Sequence, residues 1–399
     1  MCVIFKDILN GKYRNVWIYG AGQVGKKLLV DFGFFHIPIE GIVMSKYDGT
    51  VIPGIQICSL SEIKTPPKDS VFIITSSAKF HNEIIKNIQE SGYENYIIWN
   101  VECLCSLWRQ AEYHFTDRRK SFDKCCFILA GYKEFLWKDV FERFTYFIPK
   151  DIDVCILSSG IHSEKLEMLA EKNSWSYLYT KINSVTLIQN IAFSIFEKYN
   201  WIYKVDEDMF ITEGSFEGLF DTYQKVEKEL QYEPGIVAPL IPVNGYGYSI
   251  ILDRLGKMSD YENKFGKIVV GGNPESMIEK NPETAVFMWR ECPQIDDLNR
   301  FFSRETQINL CSVRLSIGFI LLKHFLWEDM QGFSVSGNAD MGTDEVELCS
   351  QCINKSKAII ISTSEVVGHF SFGKQTDRMK EFYIENPNWF KINVCHKKF

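Results

Sequence analysis

No run of eighteen or more apolar residues occurs in the 399-residue chain, which excludes a membrane-crossing helix. An excess of positive charge is also missing. Lys and Arg number 44 against 51 Asp and Glu, for a net charge of -7. That balance argues against a general nucleic-acid binder, which needs a basic face, but leaves room for a local basic patch at a nucleoside diphosphate. The opening stretch MCVIFKDILNGKYRN lacks the basic-then-apolar layout of a secretory signal, so a cytoplasmic location is expected. There is no repeat of fixed period and no low-complexity tract. The twelve cysteines are scattered through a chain too long to need staples, so reduced thiols are expected. Cys103/Cys105 and Cys349/Cys352 are the only close spacings that suggest zinc. A zinc site needs about four ligands at set spacing, and neither pair has a matching second pair nearby. Cys349 and Cys352 also fall three apart on an expected helix, where core packing accounts for them.

What is present is ordinary globular composition: 46% hydrophobic and 24% charged residues, with 14% aromatics. The aromatics are mostly core. The remainder would suit a sugar-stacking or membrane-edge surface, and with it a peripheral place at the inner face of the membrane. The length suggests two domains. Val16–Tyr19 reads as a strand, Gly20 to Gly25 as a Gly-rich turn, and Lys26–Phe32 as a helix. Strands follow at Ile37–Val43, Val71–Thr75 and Tyr96–Trp99, with a helix at His81–Ser91. Alternating strands and helices imply a parallel sheet with right-handed crossovers. The pattern breaks between Cys103 and Lys124, and the charged stretch Arg109–Lys120 reads as a connection. A second α/β series then starts, with strands at Cys125–Ala130, Val154–Ser158, Ser176–Tyr179 and Trp201–Val205. Helices are expected at Phe135–Phe144, Ser163–Lys172 and Val185–Tyr199. Pro234–Arg304 reads as loops and short elements. Regular structure returns at Ser316–Lys323, Asp344–Asn354 and Ile359–Ser362. The expectation is an α/β protein of two Rossmann-like domains, residues 1–120 and 121–399.

Chemistry concentrates where the strand at Trp201 ends. The segment WIYKVDEDMFI passes from an apolar strand into Asp206-Glu207-Asp208 and straight back to apolar residues. In extended backbone, residues two apart face the same side, so Asp206 and Asp208 can aim two carboxylates at one point. Hard divalent cations take such oxygen ligands and bridge them to substrate phosphates. The carboxyl end of a strand is also where open α/β sheets bind ligands. A charged turn closing the strand is the bland alternative, but the apolar residues that follow at once are unlike a solvated turn. Two further features lie downstream. GNADMGTDEVELC, from Gly337, runs a Gly-containing loop with Gly337 and Gly342 into a helix that opens on Asp344 and Glu345. Acids there also suit the helix macrodipole, so capping alone is a sufficient structural reading. Later, His369 sits in GHFSFG after an apolar strand, placed as a third metal ligand.

This order of features resembles the GT-A class of nucleotide-sugar glycosyltransferases over roughly Cys125 to Phe372. The resemblance implies a GT-A type second domain with a mixed, mainly parallel sheet. It implies a D-x-D at Asp206/Asp208 binding Mn2+ or Mg2+ together with His369, and donor contacts from Asp206, Asp208, Gly337 and Gly342. It places the catalytic acids at Asp344 and Glu345. Many inverting members read Glu-Asp, an apolar residue, an acid, Leu and Cys at this helix start. Here Asp344-Glu345-Val346-Glu347-Leu348-Cys349 swaps the two acid types, and by register Glu345 falls at the base position. The implied reaction is transfer of a sugar from a nucleotide donor, a uridine diphosphate sugar in the first instance, to a hydroxyl of a glycan or lipid-linked glycan, with inversion. Retention and nucleotidyl transfer are the rivals within the same chemistry. Phe127-Ile-Leu-Ala-Gly-Tyr-Lys133 has one Gly and one Lys, poor material for a nucleotidyltransferase loop. A non-catalytic nucleotide-binding module is the rival from another class.

The front segment VWIYGAGQVGKKL places Gly20, Gly22 and Gly25 between a strand and a helix, the arrangement that lets backbone approach a phosphate. It is similar to Rossmann-like domains attached to bacterial sugar-modifying enzymes, including acetyltransferases of nucleotide sugars, as is the stretch Ile55 to Glu62. NAD binding wants an acid at the end of the second strand, where this chain has Met44-Ser45-Lys46. A structural or regulatory domain with a candidate nucleotide site is therefore expected in preference to a dehydrogenase.

Overall fold

The computed structural model describes residues 3–45, 51–120, 123–271, 276–304, 307–335 and 342–393. The chain divides into two compact units. The first is Met1–Glu112 with Ser184–Glu197 and Trp327–Asp340, and the second is the remainder.

The first unit holds a five-stranded parallel sheet of β1 (Asn15–Tyr19), β2 (Gly41–Val43), β3 (Gln56–Cys58), β4 (Ser70–Ile74) and β5 (Tyr96–Ile98), in the order β3-β2-β1-β4-β5. Period-two alternation sorts its side chains to opposite faces. Val16, Ile18, Ile42, Val71 and Ile73 join one core with Leu28 and Phe32. Trp17, Tyr19, Val43, Phe72 and Ile74 join another with Ile84 and Ile88. Both faces are thus covered, as continuous apolar parallel strands require. β2 is shorter than the expected Ile37–Val43. His36 takes a positive φ of 55° and Pro38 follows it, so backbone that would extend the ladder is turned away and loses a donor. After β1, Gly20 adopts φ +116°, and a Cβ on Gly25 would meet the Gly20 carbonyl oxygen at 2.1 Å. Only glycine permits that turn and that approach of helix Gln23–Phe34 to the strand.

The second unit is built on a nine-stranded mixed sheet. Its strands are β6 (Tyr113–Thr116), β7 (Lys124–Leu129), β8 (Ile152–Ser158), β9 (Ser176–Thr180), β10 (Trp201–Asp206), β12 (Pro234–Leu240), β13 (Ile308–Leu310), β14 (Phe319–Lys323) and β15 (Ala358–Val366). A separate two-stranded ribbon pairs β11 (Met209–Phe210) with β16 (Gly368–His369). The sheet order is β13-β15-β12-β14-β10-β7-β8-β9-β6. The run β10-β7-β8-β9 is parallel, as is β12-β15, while β14 is antiparallel to both β10 and β12.

Two stretches differ from the expectation. The Arg109–Lys120 connection contains β6, an edge strand antiparallel to β9. Its neighbours are charged, which hides it in the sequence. Among its described residues, the Pro234–Arg304 region contains a fully buried strand and five helices within Gly247–Phe302. Prolines obscure β12, yet the register against β15 shifts beside Pro234 and again beside Pro239, and such irregularities are where a strand tolerates proline.

All ten free cysteines among the described residues, including Cys103, Cys105, Cys349 and Cys352, are buried. The paired spacings serve the core.

Candidate active site

Strand β10 delivers the acidic cluster to the sheet's interior. Val205 and its apolar neighbours are fully buried, and the chain then turns between two strands. The Asp206 N–H donates to the Gly318 carbonyl at 2.8 Å, and the Glu207 N–H donates to the Leu129 carbonyl at 2.9 Å. The three acids are therefore stitched between the end of β7 and the start of β14.

Each acid has a different partner set. Asp206 pairs with Lys204 at 2.7 Å, and Lys204 also donates to the Ile317 carbonyl at 3.0 Å. Lys204 and Asp206 are two apart in the strand, so they share a face. A third of the Asp206 side chain stays exposed, yet burial pushes its carboxyl up to about 6, against the pull of Lys204 and with the charge of Asp208 adding to the rise. Asp208 is deeper. Burial would raise its carboxyl, but Lys133 and His369 overcome that and hold it well below the usual carboxylate range.

His369 reaches Asp208 through the small ribbon. Met209 pairs with His369 and Phe210 with Gly368, and the Phe370 N–H donates to the Asp208 carbonyl at 3.0 Å. This places His369 Nε2 3.3 Å from Asp208 Oδ2, while Nδ1 lies 2.9 Å from the Val243 carbonyl oxygen. A carbonyl only accepts, so Nδ1 carries the proton. In the neutral ring the Nε2 lone pair then faces a carboxylate oxygen. Two acceptors at that distance call for a cation between them, or for a second proton on the ring. A carboxylate and a tautomer-fixed imidazole are also the donor set that second-shell bonding prepares for a metal. Asp208 and His369 therefore offer two donors to a divalent ion, while among the described residues no three His, Cys, Asp or Glu side chains converge as a ready-made shell.

Glu207, between the two aspartates, has a role that sequence reasoning missed. It is buried and accepts from the Gly131 N–H at 3.0 Å, the Tyr132 N–H at 2.9 Å and the Trp137 indole N–H at 2.6 Å. One carboxylate thus clamps the loop that leaves β7. Nothing local in the sequence distinguishes it from a solvated turn acid, because all three donors come from about seventy positions away. Glu207→Gln puts an amide NH2 against N–H donors and leaves at least one buried donor unmatched, which costs ~1–3 kcal/mol. Chemical denaturation should show that loss, and a change below ~0.5 kcal/mol would mean that Glu207 does not hold the loop.

The clamped loop carries Lys133, whose ammonium contacts Asp208 Oδ2 directly. Burial opposes that ammonium, but Asp208 first, then Glu207 and Asp206, raise it above the ordinary lysine value.

The expected acidic helix start is present. Helix Thr343–Asn354 begins after Gly342, which takes φ +84° and so requires glycine. Asp344 and Glu345 lie in its first turn and both are buried. Glu345 Oε1 accepts from Arg314 Nε at 2.5 Å, and Oε2 accepts from the Ile317 N–H at 3.3 Å. Burial raises its carboxyl above the ordinary value, with Arg314 pulling the other way and Asp344 adding to the rise. The charge of Asp344 also acts on Lys204 and Asp206, so the helix start and the acidic cluster form one electrostatic group. Gly337 lies outside the described residues.

Glu279, in the stretch expected to be loops and short elements, is another residue that sequence reasoning missed. It is buried, and a Cβ on Gly245 would come within 2.5 Å of its Oε1. Burial first, then the charge of Glu345, push its carboxyl up to about 7.

In the first unit, Gly20, Gly22 and Gly25 sit after β1 and at the start of helix Gln23–Phe34, and a Cβ on Gly22 would meet nothing within 4 Å.

Comparison with known proteins adds the following. The family model described as C2185-like, N-terminal, matches residues 12–99, within the first unit. No curated protein matches the chain. Among solved structures, the chain is similar to GalNAc-T7, crystallised with UDP, GalNAc and Mn2+. The identity is 9%, over 79% of this chain and 60% of that one, with a TM-score of 0.38. It is also similar to S. aureus TarS 1-349, at 12% identity over 66% of each chain, with a TM-score of 0.36. The chain thus spans less than two thirds of the length of either. No helix among the described residues is long and apolar enough to cross a membrane.

Proposed function

We propose that the chain is a metal-dependent glycosyltransferase that moves a sugar from a nucleoside diphosphate donor, a uridine diphosphate sugar in the first instance, to a hydroxyl of a glycan or lipid-linked glycan, with inversion. The observation that carries this reading is the facing pair Asp208 and His369 at the end of β10, with Nδ1 of the histidine fixed on Val243. Asp208, His369 and Asp206 would hold Mn2+ or Mg2+ there. Held there, the ion would supply Lewis-acid neutralisation of the charge that develops on the leaving diphosphate.

The rest of the chemistry falls to the chain. Glu345 accepts the acceptor's hydroxyl proton while that oxygen bonds to the anomeric carbon. The bond from that carbon to the diphosphate oxygen breaks, and its electron pair leaves with the nucleotide. Arg314 and the Ile317 N–H orient the Glu345 carboxylate, and burial keeps it basic enough to take a proton. Asp344 orients the acceptor or stabilises the helix start. Gly342 would approach the donor through backbone. In the first unit, Gly20, Gly22 and Gly25 offer a nucleotide site with a structural or regulatory role.

A thermal-shift panel tests the donor class. A uridine diphosphate sugar with Mn2+, at about 100 times its Kd, should stabilise the protein by ~2.7 kcal/mol, seen as a raised Tm, while NAD with Mn2+ should not. No response to any nucleotide sugar, or an equal response to NAD, would overturn the donor assignment.

A further inference from the structure

Three carboxylates in the site each carry a resident cation: Asp206 has Lys204, Glu345 has Arg314 and Asp208 has Lys133. These cations are not equivalent. Lys204 is buried in β10 and spends a second hydrogen bond on the Ile317 carbonyl. Arg314 is tied to the carboxylate that the mechanism uses as its base. Lys133 sits on a loop, keeps 24% of its side chain exposed and contacts the carboxylate oxygen that also faces His369 Nε2. The ammonium and a divalent ion would therefore compete for one oxygen.

The loop itself is fixed. Glu207 holds its backbone at Gly131 and Tyr132 and, through the Trp137 indole, the start of the following helix. The backbone of Lys133 is thus anchored beside the acidic cluster, while a four-carbon stem is flexible enough to carry an ammonium from one partner to another.

We infer that Lys133 is a tethered counter-ion that neutralises Asp208 until a nucleoside diphosphate arrives, so that metal and nucleotide bind as a coupled pair. This rests on the metal reading given above. With Lys133 on Asp208, the charge that would attract a divalent ion is already matched, and the ion must displace the ammonium to gain its ligand. A diphosphate changes the balance. It gives the ammonium anionic oxygens to pair with and frees Asp208 for the metal. The nucleotide should then tighten metal binding, and by reciprocity the metal should tighten nucleotide binding by the same factor.

The test measures Mn2+ affinity of the full chain by electron paramagnetic resonance, without and with UDP, for the wild type, Lys133→Gln and Lys133→Arg. Without UDP, Lys133→Gln should bind Mn2+ at least ~10-fold tighter than the wild type, which corresponds to ~1.4 kcal/mol. UDP should tighten Mn2+ binding strongly in the wild type and in Lys133→Arg, and much less in Lys133→Gln. Equal Mn2+ affinity of wild type and Lys133→Gln without UDP overturns the inference and leaves the metal reading standing. So does a wild type that binds Mn2+ as tightly without UDP as with it, a result that needs no variant. If neither form binds Mn2+ even with UDP, the metal reading fails and takes this inference with it.

Discussion

Glu345→Gln lowers kcat by at least ~10²-fold, the scale on which a lost general base is felt, with donor affinity little changed. Glutamine keeps the size of the side chain and can still accept from the Ile317 N–H, but it turns an NH2 toward Arg314 and cannot take a proton, so a melting measurement separates the stability loss from the loss in kcat. Glu345 is a buried carboxyl lifted above its ordinary value, which strengthens it as a base, and it is held at both oxygens by Arg314 and the Ile317 N–H, which orient it. Asp344→Asn is the control, because the two acids share the first turn of one helix and the sequence register alone chose between them. It should damage chemistry less and register mainly as lost helix-start stability, on the order of 1 kcal/mol. If Asp344→Asn is inactive and Glu345→Gln is not, the base is Asp344. If both stay active and the product keeps the donor's anomeric configuration, the reaction is retaining and no in-line base is needed.

The path from sequence to site was uneven, for physical reasons. A buried strand announces itself as a continuous apolar run, so β10 and the acids at its end could be read directly, as could the helix that opens on Asp344 and Glu345. His369 was legible as a residue type in a Gly-bracketed turn. Its route to Asp208, by a ribbon of two residues per strand, was not, because so short a pairing leaves no periodic trace. Glu207 and Arg314 escaped because their meaning lies in partners far along the chain: N–H groups of residues 131, 132 and 137 for the first, Glu345 for the second. Lys133 was visible only as weak material for a different loop, since a lysine's partner is set by tertiary approach. Glu279 lies in a short helix, Met277–Lys280, too brief to show a period. Strand β12 was hidden by prolines that sit beside its register shifts, and β6 by its charged surroundings at the sheet edge. The two-domain expectation came from the restart of the strand–helix pattern, a signal that marks where a second sheet begins. It does not reveal that Ser184–Glu197 and Trp327–Asp340 group with the first unit.

If Asp206, Asp208 and a divalent ion act on a nucleotide-sugar diphosphate, release of UDP from a uridine diphosphate sugar reports their action. The assay compares the wild type with Asp208→Asn, each in Mn2+ and in excess chelator. Metal stabilisation of leaving-group charge is worth several kcal/mol, so at ~1.4 kcal/mol per factor of ten its loss should cut turnover by about 10³-fold. Asp208 is buried, and its backbone carbonyl is held by the Phe370 N–H. Asparagine should preserve the fold while removing the charge. Asp206→Ala should behave like Asp208→Asn, and His369→Ala should be milder, because both carboxylates and the diphosphate remain as ligands. A metal role at Asp208 requires that wild-type turnover vanishes in chelator, returns on adding Mn2+ or Mg2+, and is lost in Asp208→Asn under every condition. Undiminished UDP release by the wild type in chelator, together with an active Asp208→Asn, would contradict it.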